Sequence, residues 1–518
     1  MLRNAKRGTA AAGGPGTGRH AGRRWIDHWN PEDPDFWRSR GQRVARRNLG
    51  VSILTDHLGF CLFVVWTIVV INLGNIGISL TLSQQFVLTL IPNLVGSTLR
   101  IPYTFALPRF GGRLWTTISA GLLLIPAGLL AIVVPSHWLA QQPAGPQFWI
   151  LFACAATAGL GGGIFASSMA NISFFYPEAR KGFALGLNAA GGNLGVASSQ
   201  LLVPLVLIAG VAGSALKKPV HPVHIAYAGW VFIPLIVIAA VAAWLFMDSL
   251  SEAKSDHRSF AEAMRAKETW ILSLLYIGTF GSFIGFSFAL PLVIKNTFPE
   301  FLAAHPFIAT YLAGLSFLGA LVGSLARPVG GWMSDRMGGA KVTVAVFGAM
   351  AACTGAAAYG VEQRSFAGFL VAYLGIFLLS GVGNGSIYKM IPSVFAALGA
   401  RQAAARGLAR SATTVEFKRR AAAVIGIAGA IGAFGGVLVQ VVFRQASLGV
   451  SALQKLAKAP AEKLAIAAAH ANWSVPALWV FLGAYLVLGA VTWACFLRQT
   501  ESHLAEPAAE AAEAGMAG

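Results

Sequence analysis

The stretch GLGGGIFASSMANISFFYPEARKGFALGLNAAGGNLGVASSQLLVP, from Gly159 to Pro204, is the part of the sequence that best indicates the architecture of the chain. It contains two apolar runs, each roughly long enough to cross a bilayer, separated by a short charged turn at residues 177–181. Such a turn belongs in water, so the stretch predicts a transmembrane helical hairpin. Gly and Ala crowd residues 182–195 and let helix backbones approach closely. Asn188 and Asn193 lie among them, and their amides either bond across a packed helix pair or line a polar substrate path.

The composition indicates a membrane protein with many spans. Of the 518 residues, 56% are hydrophobic and only 11% are charged, whereas soluble proteins usually carry about 25% charged residues. The formal net charge of +19 lies in tails and short loops, where the positive-inside rule expects it, so it indicates topology and not nucleic-acid binding. The cysteines all fall in apolar runs without metal-ligand or CxxC spacing, and we interpret them as buried small hydrophobic residues: Cys61, Cys154, Cys353 and Cys495.

The lengths of the apolar runs predict about twelve spans. The first six are expected near residues 56–76, 84–106, 113–135, 148–174, 181–210 and 225–247. The other six are expected near residues 269–294, 305–330, 341–359, 365–396, 420–443 and 475–497. The predicted fold class is therefore an all-α polytopic membrane protein with two pseudo-symmetric six-helix halves.

The remaining segments complete the predicted organisation. Residues 1–24 are expected to form a disordered basic cytoplasmic tail without a cleavable signal peptide, and residues 499–518 a disordered C-terminal tail. Residues 25–55, which mix Trp with Arg and Asp, are expected to lie at the membrane surface. The six-helix halves then comprise residues 56–247 and 269–498, joined by a cytoplasmic connector at 248–268.

Loop charges predict the orientation in the membrane. The basic residues on the side of the N-terminal tail are Arg109, Arg113, Arg180, Lys181, Arg336, Lys341, Arg401, Arg406, Arg410, Lys418, Arg419 and Arg420. Because positive loops stay inside, this side is predicted to be cytoplasmic, with both termini there. Lys217, Lys218 and the stretch 452–468 are exceptions on the opposite side that weaken the rule without reversing it.

An internal repeat relates the two halves. Arg100 is followed nine positions later by Arg109 and a Gly-Gly pair, and Arg327 is followed nine positions later by Arg336 and a Gly-Gly pair. Each pair lies in the second span of its half. Parallel repeats of this kind build one large class of secondary transporters, in which the substrate binds near the midplane between the halves.

Arg100 and Arg327 are the most informative candidates for a binding site. Nine helical residues place each of them roughly 13 Å deeper than the interfacial Arg that follows, beyond the reach of a snorkelling side chain. An arginine at that depth either bonds to carbonyls at a helix end or serves a functional site. Two guanidiniums ~7 Å apart would repel by roughly 2 kcal/mol at an effective dielectric constant of ~20, so the pair predicts an anionic substrate.

The acidic residues provide no obvious counter-charge within the spans. They flank spans or lie in loops, with Asp56 at the head of the first span, followed by Glu178, Asp248, Glu268, Glu300, Asp335, Glu362 and Glu416. The histidines His57 and His305 also lie at span edges. Proton-coupled carriers usually contain intramembrane Asp, Glu or His. This pattern favours the exchange of one anion for another over proton symport.

Other polar and aromatic residues could line the path. Lys389, inside GVGNGSIYKMIP, could either face the path or snorkel to an edge. Tyr276 offers a hydroxyl at the start of the second half. Phe60, Phe165 and Phe280 could form flat apolar walls, although aromatic residues in membrane helices more often only pack or face lipid.

The chain from Trp25 to about Arg498 resembles the bacterial nitrate/nitrite porters of the major facilitator superfamily. The blocks that carry the resemblance, in the family's order, are WNPEDPDFWRSRG, LRIPYTFALPRFGGRLWT, FASSMANISFFYP, ALGLNAAGGNLGV, LLYIGTFGSFIGF, LARPVGGWMSDRMGG and GAIGAFGG. The resemblance implies the major facilitator fold. The WNPEDPDFW block resembles the exchanger branch of the family more than the symporter branch.

The resemblance also implies roles for particular residues. Arg100 and Arg327 would clamp the nitrate or nitrite oxygens, with polar contacts from Asn193 and Tyr276. Phe60, Phe165 and Phe280 would pack against the planar anion. Two Gly-rich stretches resemble the paired signature motifs that let helices slide, and their glycines are Gly182, Gly186, Gly191, Gly192, Gly426, Gly429, Gly432, Gly435 and Gly436. Lys389 stands where some members have Gln.

The predicted function is an inner-membrane carrier that exchanges nitrate and nitrite by rocking two halves around a central site. No nucleophile, metal or cofactor constellation is visible, so we expect no enzymatic activity, no cofactor, no nucleic-acid partner and a monomer in the lipid bilayer. Two alternatives stay open. One is a proton-coupled nitrate importer on the same scaffold, and the other is a transporter-like nitrate receptor.

Overall fold

The computed structural model describes residues 25–208, 223–251, 257–409 and 411–498. The predicted tails at 1–24 and 499–518, and Arg410 of the basic loop, lie outside the described residues. Twelve long helices follow one another in the described ranges. They are α1 Pro34–Ile76, α2 Leu82–Phe110, α3 Gly112–Ile132, α4 Ala144–Phe175, α5 Glu178–Leu207, α6 Tyr227–Phe246, α7 Lys267–Thr297, α8 Phe317–Met337, α9 Gly339–Glu362, α10 Phe366–Ala405, α11 Ser411–Ala446 and α12 Ala471–Leu497.

Ten helices in the part of the chain that the structure describes are long and apolar enough to cross a membrane. The other two long helices are α2 and α8, whose polar residues include Arg100 and Arg327. Shorter helices occupy the connections, at His137–Ala140, His257–Arg265, Pro299–Ala304, Pro306–Tyr311, Leu448–Gln454 and Pro460–Ala469. The predicted all-α fold class is confirmed.

The same helix pairings recur in the two halves. In the first half α2 packs against α4, α1 against α5, and α3 against α6. In the second half the equivalent pairs are α8 with α10, α7 with α11, and α9 with α12. The halves meet where α2 packs against α11 and α8 packs against α5. The helices that carry Arg100 and Arg327 therefore form the interface between the halves, together with the two Gly-rich helices.

A small sheet ties the N-terminal segment to the connector between the halves. Strand β1 (Trp25–Ile26) pairs in parallel with strand β2 (Ser249–Leu250). Asp248, just before β2, forms an ion pair with Arg47 and accepts a hydrogen bond from the Asn48 amide at 3.1 Å. We call this end of the bundle the N-terminal side and the other end the far side.

Several helix boundaries differ from the sequence prediction, and two of them differ by more than ten residues. Residues 42–55, predicted as part of a surface segment, belong to the continuous helix Gln42–Val64 within α1, and Asn48, Ser52 and Thr55 are buried there. The eighth span, predicted to begin near 305, begins at Phe317 because Ala313, Gly314 and Leu315 all have positive φ. A left-handed backbone cannot continue an α-helix.

Hydrogen bonds join the two halves on the far side. The Leu82 N–H, at the start of α2, donates to Gln454 Oε1 at 2.7 Å, and Ser83 N–H donates to Ser451 Oγ at 2.8 Å. Deeper in the bundle, Thr89 Oγ1 donates to Gln440 Oε1 at 2.9 Å. The short helix Leu448–Gln454 thus caps the first turn of α2, whose amides have no partner within their own helix.

Candidate functional site

Arg100 lies in the middle of α2 and is only 1% exposed. Its Nε donates to Gly162 O at 3.3 Å in its own half, and its Nη1 donates to Gly429 O at 2.6 Å on α11 of the other half. Its Nη2 is buried and has no hydrogen-bond partner among the described residues. Arg100 therefore bridges the halves and keeps one buried donor unpaired.

Arg327 lies at the matching place on α8 and is 6% exposed. Its Nη2 donates to Tyr276 Oη at 3.0 Å, and its guanidinium carbon lies 4.7 Å from the centroid of the Tyr388 ring. Its Nη1 is buried without a hydrogen-bond partner in the described ranges. The second guanidinium therefore also presents a free donor, but its partners belong to its own half.

Aromatic rings connect the two arginines. The Arg100 guanidinium carbon lies 5.0 Å from the Phe165 centroid and 5.2 Å from the Phe280 centroid. The Phe280 ring stacks on Tyr276 at 5.1 Å with an interplanar angle of 8°, and Tyr276 in turn holds Arg327. Each ring attracts a guanidinium through its quadrupole. The rings therefore fix both cations around one region between the halves.

The predicted aromatic wall comes together as a group. Phe60 meets Phe165 edge to face at 5.7 Å, and Phe165 and Phe280 lie 6.2 Å apart across the interface between the halves. All three phenylalanines are almost fully buried. Such a buried apolar wall lowers the local dielectric constant and so strengthens the electrostatic interactions of the Arg100 guanidinium beside it.

Asn193 and the signature glycines occupy α5 and α11. Asn193 is 1% exposed, and its Oδ1 has no hydrogen-bond partner in the described part of the chain. An added Cβ at any glycine of the inner group would come within about 3.2 Å of another atom, and this group comprises Gly191, Gly192, Gly432, Gly435 and Gly436. An added Cβ at Gly182, Gly186 or Gly426, nearer the N-terminal side, would meet no atom within 4 Å. At Gly429 it would meet only the Tyr388 hydroxyl, at 3.5 Å. The two stretches are therefore packed tightly in one part only.

Lys389 does not join this group. Its Nζ lies 2.9 Å from Asp335 Oδ1, and both side chains are more than half exposed. The interpretation that Lys389 lies at an edge, as one of the two sequence alternatives, therefore fits the structure, and its grouping with the substrate-binding residues does not.

The expectation that Asp56 stands at the head of the first span is wrong. Because α1 begins at Pro34, Asp56 lies deep inside the helix with no exposed surface. Its Oδ2 accepts hydrogen bonds from Ser168 Oγ at 2.6 Å and from Asn188 Nδ2 at 3.1 Å. A carboxyl group is thus enclosed within the first half, contrary to the sequence expectation that none lies inside a span.

The sequence reasoning missed Tyr388 as well as Asp56. Tyr388 packs against both Tyr276, at 5.1 Å between ring centroids, and the Arg327 guanidinium. It directly precedes Lys389 in the sequence. The signal was present, since an aromatic hydroxyl inside an apolar run needs a partner when buried.

The arrangement of charges favours an anion. The rings of Phe280 and Tyr276 link the Arg100 guanidinium of one half to the Arg327 guanidinium of the other. Each arginine keeps one buried N–H donor group free, and guanidinium forks match planar oxyanions in geometry and charge. The site can therefore bind a small planar anion between the halves.

The sequence is similar to those of known membrane transporters. The Major Facilitator Superfamily profile matches residues 57–440. "Nitrate/nitrite transporter NarU" of Salmonella typhimurium is 38% identical over 427 residues, which cover 81% of this chain and 89% of NarU. "Probable nitrate/nitrite antiporter NarK2" of Thermus thermophilus is 38% identical over 384 residues, which cover 72% of this chain and 83% of NarK2.

Solved structures share the fold at low identity. A D-xylose-proton symporter aligns with a TM-score of 0.59 at 14% identity, covering 87% of this chain and 97% of the symporter. A bacterial homologue of the human lysosomal transporter Spinster, in an inward-facing and occupied conformation, aligns with a TM-score of 0.58 at 15% identity, covering 86% and 95%. At these identities the likeness concerns the fold alone. On the evidence of the profile and the relatives, the chain belongs to the nitrate/nitrite porter family of the Major Facilitator Superfamily, whose members are membrane transporters and not enzymes.

Proposed function

We propose that this protein carries nitrate and nitrite across the membrane by alternating access, with Arg100 and Arg327 clamping the anion between the two halves. The observation that supports the clamp is that each half contributes one buried arginine with one unpaired nitrogen. The names of the relatives supply the substrates. Asn193, Tyr276, Phe60, Phe165 and Phe280 complete the proposed site.

The proposed mode is nitrate/nitrite exchange. It is supported by the N-terminal WNPEDPDFW block and by the Thermus relative that is named a probable antiporter. A lack of buried carboxylates no longer supports exchange, because Asp56 is buried in the first half. Asp56 instead favours a second candidate, proton-coupled nitrate import on the same scaffold.

The proposed location is the cell inner membrane, with both termini in the cytoplasm and the protein acting as a monomer. The basic residues clustered on the N-terminal side support this orientation, because positive loops stay inside. The far-side hydrogen bonds between the halves, such as Leu82 to Gln454, then close the periplasmic end of the site in this conformation.

Counterflow in proteoliposomes tests the function and its mode. Vesicles loaded with nitrite should accumulate labelled nitrate against its gradient, and an uncoupler should leave this exchange intact. Uptake that needs no internal anion and collapses with the uncoupler would instead establish proton-coupled import. Vesicles that show no counterflow would favour a receptor over a carrier.

Arginine-to-lysine variants test the clamp. Arg100→Lys and Arg327→Lys keep the charge but lose the planar fork. Because a hydrogen bond to a charged group contributes about 1.5–3 kcal/mol, each variant should lower kcat/KM for nitrate uptake by about tenfold or more. Arg364→Lys is the matched control, since the Arg364 side chain is exposed and forms a surface ion pair with Glu300 at 3.3 Å. Near-normal uptake by either clamp variant would contradict the proposal.

A further inference from the structure

A buried carboxyl group lies beside the proposed anion site without a role in the clamp. Asp56 has no exposed surface, and its Oδ2 accepts hydrogen bonds from Ser168 at 2.6 Å and Asn188 at 3.1 Å. Its Oδ1 is buried and has no hydrogen-bond partner within the described residues. An unpaired buried oxygen is costly for an ionised carboxylate and can carry a proton in the neutral acid.

Asp56 lies one helical turn before Phe60 and on the same face of α1. Gly192 of α5 packs against both, since an added Cβ there would lie 3.2 Å from the Phe60 ring and 3.3 Å from Asp56 Cβ. Phe60 in turn contacts Phe165, which lies against the Arg100 guanidinium. The carboxyl group therefore adjoins the wall of the site in the half that contains Arg100.

The charges that act on Asp56 are few. From α4 and α5 it receives the neutral groups of Ser168 and Asn188. The rings of Phe60 and Phe165 connect it to the Arg100 guanidinium of α2. On its own helix the titratable neighbour is His57, whose Nδ1 lies 3.0 Å from Gly191 O. Arg100 is thus the cation of the proposed site that lies in the same half as Asp56, and its positive charge favours the ionised carboxylate.

We propose that Asp56 is a proton-binding site linked to anion binding: its carboxylate takes up one proton from solution when nitrate or nitrite binds to Arg100. This inference rests on the proposed function. The entering anion neutralises the Arg100 charge that stabilises the carboxylate, so the protonated acid becomes the favoured form. The total charge of Asp56, Arg100 and the bound anion equals that of Asp56 and Arg100 before binding, because the added proton balances the added anion.

Linkage makes the effect reciprocal, since a proton on Asp56 must strengthen anion binding by the same factor. In an exchanger the proton accompanies the anion in both directions, and exchange becomes pH-dependent. In a carrier that returns empty, the same linkage produces proton symport. Proton uptake by Asp56 on anion binding is therefore compatible with either mode of transport.

Calorimetry on the purified full-length protein tests the inference. Nitrate is titrated in two buffers that differ in ionisation enthalpy, at several values between about pH 5 and 9. The wild type should take up close to one proton per nitrate within part of this range, and within that part its affinity for nitrate should fall by up to about tenfold per pH unit. Asp56→Asn, which mimics the neutral acid, should bind nitrate with no proton uptake and with an affinity that does not depend on pH.

Ser52→Ala is the matched control. Ser52 Oγ lies 2.7 Å from Ser168 Oγ in the same buried cluster, so the variant removes a hydroxyl group there and keeps the carboxyl group. It should retain the proton uptake of the wild type. Infrared difference spectra of the wild type add a readout that needs no variant, because nitrate should produce the C=O stretch of a newly protonated carboxyl group.

The outcomes separate the two proposals. Nitrate binding by the wild type without proton uptake at any pH would overturn the Asp56 inference and leave the carrier intact. Proton uptake by Asp56→Asn equal to that of the wild type would also overturn it, because another group would then be the site. A wild-type protein that binds neither nitrate nor nitrite would overturn the proposed function and this inference with it.

Discussion

Arg100 and Arg327 occupy equivalent positions but have different partners. Arg100 donates across the interface to Gly429 O, whereas Arg327 donates to Tyr276 within its own half. A rocking motion that separates α2 from α11 must therefore break the Arg100 bond, while the bond of Arg327 can persist. The two guanidiniums of the proposed clamp are thus not interchangeable. Arg100 bridges the halves, whereas Arg327 is held by Tyr276 within its own half.

Tyr276→Phe should weaken nitrate transport by raising KM about tenfold. The variant removes the hydroxyl that accepts from Arg327 at 3.0 Å, and a hydrogen bond to a charged group contributes about 1.5–3 kcal/mol. The ring that stacks on Phe280 remains, so the fold should be preserved. Tyr485→Phe is the control, because Tyr485 is equally buried and its hydroxyl lies 2.7 Å from Ser282 Oγ. Initial rates of counterflow measure both, and equal KM values would contradict the role of Tyr276.

Lys389→Gln should leave nitrate transport within about twofold of the wild type. The lysine is half exposed and pairs with Asp335, and exposed ion pairs contribute only about 0–1 kcal/mol. A large loss of uptake with unchanged protein abundance would show that Lys389 acts on the anion path after all.

At the scale of elements, the two Gly-rich helices contain two kinds of glycine. Gly435 on α11 touches Gly281 of α7, where an added Cβ would lie 2.7 Å from the Gly281 Cα. Gly426 lies more than two helical turns away on the same helix and would meet no atom. The tightly packed glycines of α11, such as Gly435, hold this helix against α7 in this conformation. The glycines with open space around them, such as Gly426, leave room for contacts that form when the halves rearrange.

Gly435→Ala should therefore destabilise the protein by about 1–3 kcal/mol, the usual effect of overpacking a core. Gly426→Ala should leave stability unchanged or raise it slightly, since Ala is a better helix former than Gly. Thermal unfolding in detergent compares the two variants directly. Equal melting temperatures would contradict the distinction between the groups.

The sequence predicted the helices and the burial of Arg100 and Arg327 better than it predicted the surroundings of these two residues. Arg100 and Arg327 could be placed because a charge deep in an apolar run has few explanations and the nine-residue spacing repeats. The burial of Asp56 could not be predicted, because basic residues such as Arg46 and Arg47 interrupt the apolar pattern at the start of α1. The groups that bury Asp56 also come from α4 and α5, more than a hundred residues away in the sequence. The packing around each glycine could not be predicted from the sequence either, since it depends on which helix lies opposite.

At the scale of the whole molecule, several direct hydrogen bonds join the halves on the far side. Besides the bonds of Gln454 and Ser451, Gln200 Nε2 of α5 donates to Ser287 O of α7 at 2.7 Å, and Lys463 Nζ donates to Ser79 O at 3.2 Å. Separation of the two halves on the far side would break these bonds. They therefore bias the equilibrium between the two states of the carrier, because a contact made in one state shifts the population toward it.

Gln454→Ala should shift this equilibrium toward opening of the far side. Its Oε1 accepts from the Leu82 N–H at 2.7 Å, so the variant leaves a buried backbone donor unpaired, which costs about 1–3 kcal/mol in the closed state only. The open state should gain roughly five- to hundredfold in relative population, and amide hydrogen exchange in residues 79–90 should accelerate accordingly. Gln147→Ala is the control, since Gln147 bonds to Leu139 O at 3.1 Å within one half. If both variants left exchange in 79–90 unchanged, the far-side bonds would have no part in gating, and the closure would depend on packing between α2 and α11 alone.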